Sequence, residues 1–148
     1  MIVIGDAISH LVTSVNNHSS VTGGRTVMAF PDKYISSPLT ETMFSLGIKK
    51  VNVGPRLTVE NSNGTLTETR NRKVEITYSL TVYAPHSRGG DACMKGFDKW
   101  IDCLVRVIGM NIDSAGCDAI EYMQSIGTNV LKGYFVLSRT YAETAVPT

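Results

Sequence analysis

The sequence predicts an α+β fold: a mainly antiparallel sheet with two helices packed on it and a protruding β-hairpin. Three observations carry this. Apolar residues recur at helical spacing in two stretches, roughly residues 2–17 and 90–108. Elsewhere they alternate with a period of two, without error from Val74 to Val82. The strands come in runs instead of alternating one by one with helices, which argues against βαβ units. The chain has 148 residues, with 43% hydrophobic and 18% charged side chains. That suits a single globular domain, 1–148, large enough to bury a real core.

In chain order, Ile4, Ile8, Leu11, Val12 and Val15 define the first amphipathic helix. The run Asn16 to Ser20 ends it, and Gly23-Gly24 marks a turn. Val27 to Phe30 reads as a strand stopped by Pro31, and Asp32 to Thr42 as a surface loop. Met43 to Val53 reads as a strand closed by Gly54-Pro55. Residues 56–72 are polar and threonine-rich around Asn63-Gly64, the signal for a hairpin arm with a two-residue turn.

Val74, Ile76, Tyr78, Leu80 and Val82 then face the core in a strand ended by Pro85. Cys93, Phe97, Trp100, Ile101, Leu104 and Ile108 form the stripe of the second helix, with Gly109 as its C-terminal cap. Two last strands are expected near Cys117 to Met123 and Val130 to Tyr141, with Gly127 between them. In the final strand Val130, Tyr134 and Val136 share one face, and Leu131, Phe135, Leu137 and Tyr141 the other. A strand apolar on both faces must be covered twice, either by helices within the chain or by another subunit, which is one sign of oligomerisation. Ala142 to Thr148 reads as a flexible tail.

Charge and cysteine content bound the function. The net charge of +1 gives no global attraction to nucleic acid or anionic membrane. Asp6 interrupts the short apolar run of MIVIGDAISH, so no secretory leader is expected, and no window nears the ~18 apolar residues of a membrane span. The chain is therefore expected in the cytoplasm when made. Cys93, Cys103 and Cys117 have no metal-pair spacing and lie far in sequence from His10, His18 and His86. Free thiols, with no metal and no cofactor, are the expectation. The sequons Asn17-His18-Ser19 and Asn63-Gly64-Thr65 would matter only in a secreted chain.

The segments that could carry chemistry each have a plainer reading. Gly23-Gly24-Arg25-Thr26 lacks the spacing and the following helix of a phosphate loop. Ser87-Arg88-Gly89-Gly90-Asp91 precedes a helix whose N-terminus could hold an anion, but Asp91 is better read as its cap. Cys93 and His86 are candidate partners in nucleophilic catalysis, yet Cys93 sits on the apolar stripe of its helix. Asp113 and Asp118 lie among small residues, where turn chemistry is the ordinary role. No catalytic residue is assigned, and the protein is not expected to be an enzyme.

One local charge feature remains. Lys49, Lys50, Arg56, Arg70, Arg72 and Lys73 are opposed only by Glu60 and Glu68. This is either a solvated hairpin or an arm that meets an acidic partner surface or passing DNA. Interleaved aromatics are absent, so sequence-specific nucleic-acid binding is not expected.

The element order and texture resemble the tail-terminator, or tail-completion, proteins of long-tailed phages and related phage-derived particles such as bacteriocins. The resemblance runs over most of the chain. It rests on the N-terminal helix, Val27 to Pro31, the Ser37-Pro38 loop, the basic hairpin and the strand Val74 to Pro85. It continues through the helix ending in Ile101-Asp102-Cys103-Leu104 and the strand Leu131-Lys132-Gly133-Tyr134-Phe135-Val136-Leu137. The resemblance implies a homo-oligomeric ring, commonly a hexamer, that caps the head-proximal end of the tail tube, stops its growth and offers a surface for head attachment. The implied partners are the tube protein, the sheath protein and a head-completion protein. The implied location is the virion or a tail-like particle, assembled in the bacterial cytoplasm. No catalytic residues come with it. A ring needs a heterologous interface, and its candidate residues are Lys49, Lys50, Arg56, Glu60, Glu68, Arg70, Arg72, Lys73, Glu75 and Thr77. Another head–tail connector or baseplate subunit, or a small enzyme or ligand-binding domain, would fit the same texture.

Overall fold

The computed structural model describes residues 4–28, 41–124 and 127–142. The expected stop at Pro31, the loop over 32–40 and the tail beyond 142 lie outside the described residues. The fold is α+β, a mixed six-stranded sheet with helices packed on it.

Helix α1 (Ile4–Asn16) buries Leu11 and Val15, with Ile8 and Val12 partly buried against the same cluster. Its end is fixed by Asn16, whose side-chain amide donates to the carbonyl of Thr26 (2.8 Å) and whose oxygen accepts the Thr26 N–H (2.8 Å). Asn16 thus pairs with a backbone residue as another strand would. A single turn, α2 (Ser19–Thr22), closes on Gly23 at φ 80°, a left-handed cap that glycine adopts without penalty.

Strand β1 (Gly24–Met28) runs parallel to the start of β2 (Thr42–Glu60). Strand β3 (Leu66–Pro85) pairs antiparallel with β2 along nearly its whole length and with β6 (Thr128–Ala142) on its other side. The short strands β4 (Ser114–Cys117) and β5 (Glu121–Met123) both pair with β6. The order is β1-β2-β3-β6-β4, with β5 also on β6.

The expected alternation in β3 holds: Val74, Ile76, Tyr78, Leu80 and Val82 are all buried. They meet Phe44 and Leu46 of β2, Leu131, Phe135 and Leu137 of β6, and both long helices in one core cluster. Helix α3 (Ala92–Asp102) contributes Cys93, Phe97 and Trp100, and a π-helical turn (Cys103–Val107) extends it before Gly109 at φ 85°. The Trp100 Nε1–H donates to Thr26 Oγ1 (3.0 Å), and its ring lies 5.3 Å from that of Phe135. Phe135 in turn stacks on Tyr78 at 4.9 Å. Both helices cover one side of the sheet.

Four expectations need correction. Strand β2 does not end at Gly54-Pro55 but runs through it. The proline falls where the register slips between Val53 and Arg56, an irregularity at which a strand tolerates a missing N–H. The hairpin loop is not a two-residue Asn63-Gly64 turn: Glu60 pairs with Leu66, leaving five residues, Asn61 to Thr65, between the strands. Its turn is closed by the Gly64 N–H on the Asn61 carbonyl (2.9 Å), while Asn63 Oδ1 accepts from the Thr65 N–H (3.1 Å). An Asx side chain can thus stand in for a backbone acceptor and lengthen the loop. The strand expected from Cys117 to Met123 is two strands, separated at 118–120 by a segment whose Asp118 N–H still reaches the Lys132 carbonyl (2.9 Å). Finally, Asp91 makes no side-chain capping bond; it is drawn instead to Lys95 Nζ, 3.0 Å away one turn later.

Candidate functional site

Register sorts the basic segment onto two faces. Lys50 lies opposite Thr77, Asn52 opposite Glu75, and Lys73 opposite Thr140. These belong to the sheet face that the helices leave open, together with Ser79, Thr81, Lys132 and Tyr134. Lys49 sits in the bulge between Ile48 and Lys50, and its Nζ lies 5.9 Å from the centroid of the Tyr134 ring on that same face. Together with Ser79, Thr81, Asp118 and Lys132 they line a shallow cleft of about 330 Å³. Both faces of β6 are apolar as expected, but coverage differs. Leu131, Phe135 and Leu137 are buried under the helices, whereas on the open face Val130 is buried and Tyr134 is 37% exposed.

Arg56 and Arg72 lie directly opposite each other on the helix side. Like charges in that position repel. Arg72 Nη1 donates to the Gly54 carbonyl (3.0 Å), and Arg56 Nη1 is 3.4 Å from Glu68 Oε1. The latter pair is exposed and long, so it contributes close to nothing. Glu60 ends β2 opposite Leu66, and Arg70 lies exposed in the irregular stretch between the Arg56–Arg72 and Thr58–Glu68 pairs.

The charges are not the whole surface. Ile48, Val53, Leu57, Val59 and Leu66, all on β2 or β3, are 37%, 50%, 37%, 52% and 71% exposed. Register puts Ile48, Val53 and Leu66 on one face and Val59 on the other, so exposed apolar residues lie on both faces of β2–β3, among its charges.

The positions with possible chemistry are otherwise engaged. Gly23 caps α2 and Gly24 opens a strand, so no phosphate loop forms. The Cys93 thiol is buried and points to carbonyl oxygens, 3.2 Å from Asn129 O and 3.6 Å from Val82 O. Burial pushes its pKa up, which holds it as an unreactive thiol. His86 turns to a different group, with Nδ1 3.1 Å from Asn129 Oδ1 and its ring 4.6 Å from that of Tyr122. The buried Asn129 also donates to the Gly89 carbonyl (3.4 Å), so it ties the loop before α3 to the start of β6. Sequence reasoning missed Asn129, because its partners lie about 40 residues away and carry no motif. Asp113 accepts from the Ser138 hydroxyl, and Asp113 and Asp118 bracket β4. Asp91 is held below the usual carboxylate range by its hydrogen bond to, and the charge of, Lys95. Any stability from this pair is present above the unfolded carboxyl pKa and lost as pH falls, and it is screened because the pair is fully exposed. No group of three or more potential metal ligands exists among the described residues.

Thiol reactivity should follow burial. Cys117, half-exposed, should react first with a water-soluble maleimide, while Cys93 and Cys103 stay protected until the chain unfolds. For Cys103 too, burial is the main cause of a raised pKa. Mass spectrometry of peptides after timed labelling reads this directly; labelling of Cys93 as fast as Cys117 would contradict it.

An apolar cleft of about 240 Å³ lies between α1 and the sheet, floored by Leu11, Val74, Ile76, Tyr78 and Leu137, with His10, Ser14 and Arg139 as its polar lining. In comparisons with known proteins, no family model and no curated protein matches the chain.

Proposed function

We propose that the chain is a structural subunit that closes with its own copies into a ring, six in number, at the head-proximal end of a phage-type tail tube. There it ends tube growth and offers the surface for head attachment, within a virion or a tail-like particle. The observation that carries this reading is the β2–β3 ribbon, where exposed valines and leucines are interleaved with unbalanced positive charge. Intrachain packing does not explain such a surface, whereas a protein partner does. The tube protein, sheath protein and head-completion protein are the further partners of this proposal.

The apolar cleft under α1 favours a second reading, a small ligand-binding domain. Its 240 Å³ is below the ~300–1,000 Å³ typical of ligand sites, so the ring reading is preferred.

The test is the solution mass of the purified protein by light scattering, across concentration and salt, with and without tail tubes. A discrete mass near six subunits, or capped tube ends in electron micrographs, is the expected result. A chain that stays monomeric and binds no tubes would remove the proposal.

A further inference from the structure

The ribbon has a counterpart on the far side of the same sheet. From Gly109 to Leu131 the sequence carries Asp113, Asp118 and Glu121 and no Lys or Arg. All three acids are exposed, and they flank β4 and open β5. In the strand order β1-β2-β3-β6-β4 these short strands form one margin of the sheet. Beyond Leu46, where its pairing with β1 ends, β2 forms the opposite margin among the described residues. The β2–β3 ribbon at that margin carries six basic side chains against two acidic ones between Lys49 and Lys73, with Lys49, Lys50 and Arg56 on β2 and Arg70, Arg72 and Lys73 on β3. One chain therefore presents opposite charge at its two sheet margins.

We infer that these margins are the two halves of one heterologous interface, in which the basic β2–β3 ribbon of one copy docks on the acidic β4–β5 edge of the next. The inference rests on the ring reading and names the surfaces that would build the ring. Apart from Lys49, which shares the open-face cleft with Asp118, a single chain keeps the two patches apart, because β3 and β6 lie between them. A second copy satisfies both at once, and repeating a head-to-tail contact gives a closed ring when the rotation closes.

Apolar groups accompany the charge on each side. Val53, Val59 and Leu66 of the ribbon are half-exposed or more, and on the acidic edge Tyr122 is 53% exposed. The Tyr122 ring rests on that of His86, 4.6 Å away, which limits its freedom before docking. A partly ordered tyrosine beside a carboxylate is a suitable anchor, while the charges set direction and association rate. Asp118 is the weakest of the three acids for this purpose, since it already shares the open-face cleft with Lys49 and Lys132.

The experiment reverses each patch in the full-length chain. One variant carries Lys50→Glu, Arg70→Glu and Lys73→Glu; the other carries Asp113→Lys and Glu121→Lys. All five positions are exposed, and circular dichroism verifies that both variants fold. If the parent forms a ring, each variant alone should lose it, with the apparent dissociation constant raised at least about 100-fold. Mixed one to one, the two variants should reassemble, because the acidic ribbon of one then meets the basic edge of the other. The mixed assembly must alternate, so native mass spectrometry should find only even-numbered rings with equal shares of each variant. Variants that assemble alone as well as the parent, or a mixture that stays dissociated, would overturn this interface and leave the ring reading standing. A parent that is monomeric both alone and on tubes would overturn both.

Discussion

Replacing Trp100 with alanine should cost about 3–5 kcal/mol of folding stability, a large part of the ~5–15 kcal/mol that a domain of this size possesses. Trp100 has no exposed surface, and it joins three elements at once. It rises from α3, stacks obliquely on Phe135 of β6 at 5.3 Å, and donates its indole N–H to Thr26 of β1 at 3.0 Å. Alanine would leave a cavity that these neighbours cannot fill and would strip a buried hydroxyl of its donor, a further penalty of about 1–3 kcal/mol. Trp100→Phe keeps most of the apolar contact and loses the hydrogen bond, so it should fall between the two. Because Trp100 is the single tryptophan of the chain, urea unfolding of the variants must be followed by circular dichroism instead of intrinsic fluorescence. A loss below about 1 kcal/mol for the alanine variant would contradict the packing described for α3.

The part of Trp100 that the sequence revealed was its burial; the part it concealed was its partner. Helical periodicity places Trp100 on an apolar stripe, and that is a local property of the chain. Thr26 lies 74 residues earlier and is brought to the indole only by the sheet. The same division runs through the fold. The alternation from Val74 to Val82 was legible because one face of β3 is covered and the other is not. The passage of β2 through Gly54-Pro55 was not legible, because a proline is tolerated in a strand at a bulge or an edge, and the register slip between Val53 and Arg56 is not written locally. The parallel pairing of β1 with β2 was hidden because strand order is not written locally either. For the candidate surface, the sequence showed the excess of positive charge from Lys49 to Lys73. It did not show that Lys50 and Lys73 turn to the open face while Arg56 and Arg72 turn to the helix side, since bulges at Ile48/Lys50 and Val53/Arg56 shift the alternation. Nor did it show that Asp113 and Glu121 would occupy the opposite margin of the sheet.

Gly133→Ala should be nearly as damaging, at about 2–4 kcal/mol, for the opposite reason. In most strand positions alanine for glycine is a gain, because the unfolded chain loses freedom and the pleated surface gains a side chain. At Gly133 there is no room for it. A Cβ would lie 2.5 Å from Cε2 of Phe97 and 2.9 Å from the carbonyl oxygen of Gly116. The first neighbour is a core ring of α3, held in place by the cluster around it, and the second is backbone of the adjacent strand β4. Relief would require moving the helix, the strand or both. Gly90→Ala is the control, since a Cβ there meets nothing within 4 Å, and it should leave the unfolding midpoint unchanged. The double variant Gly133→Ala with Phe97→Ala separates the two clashes. If the ring is the main obstacle, the combined loss should be smaller than the sum of the single losses by about 1 kcal/mol or more, because residues in contact couple. Additive losses would put the strain on the Gly116 carbonyl instead, and with it on the β4–β6 pairing that holds the acidic edge in position.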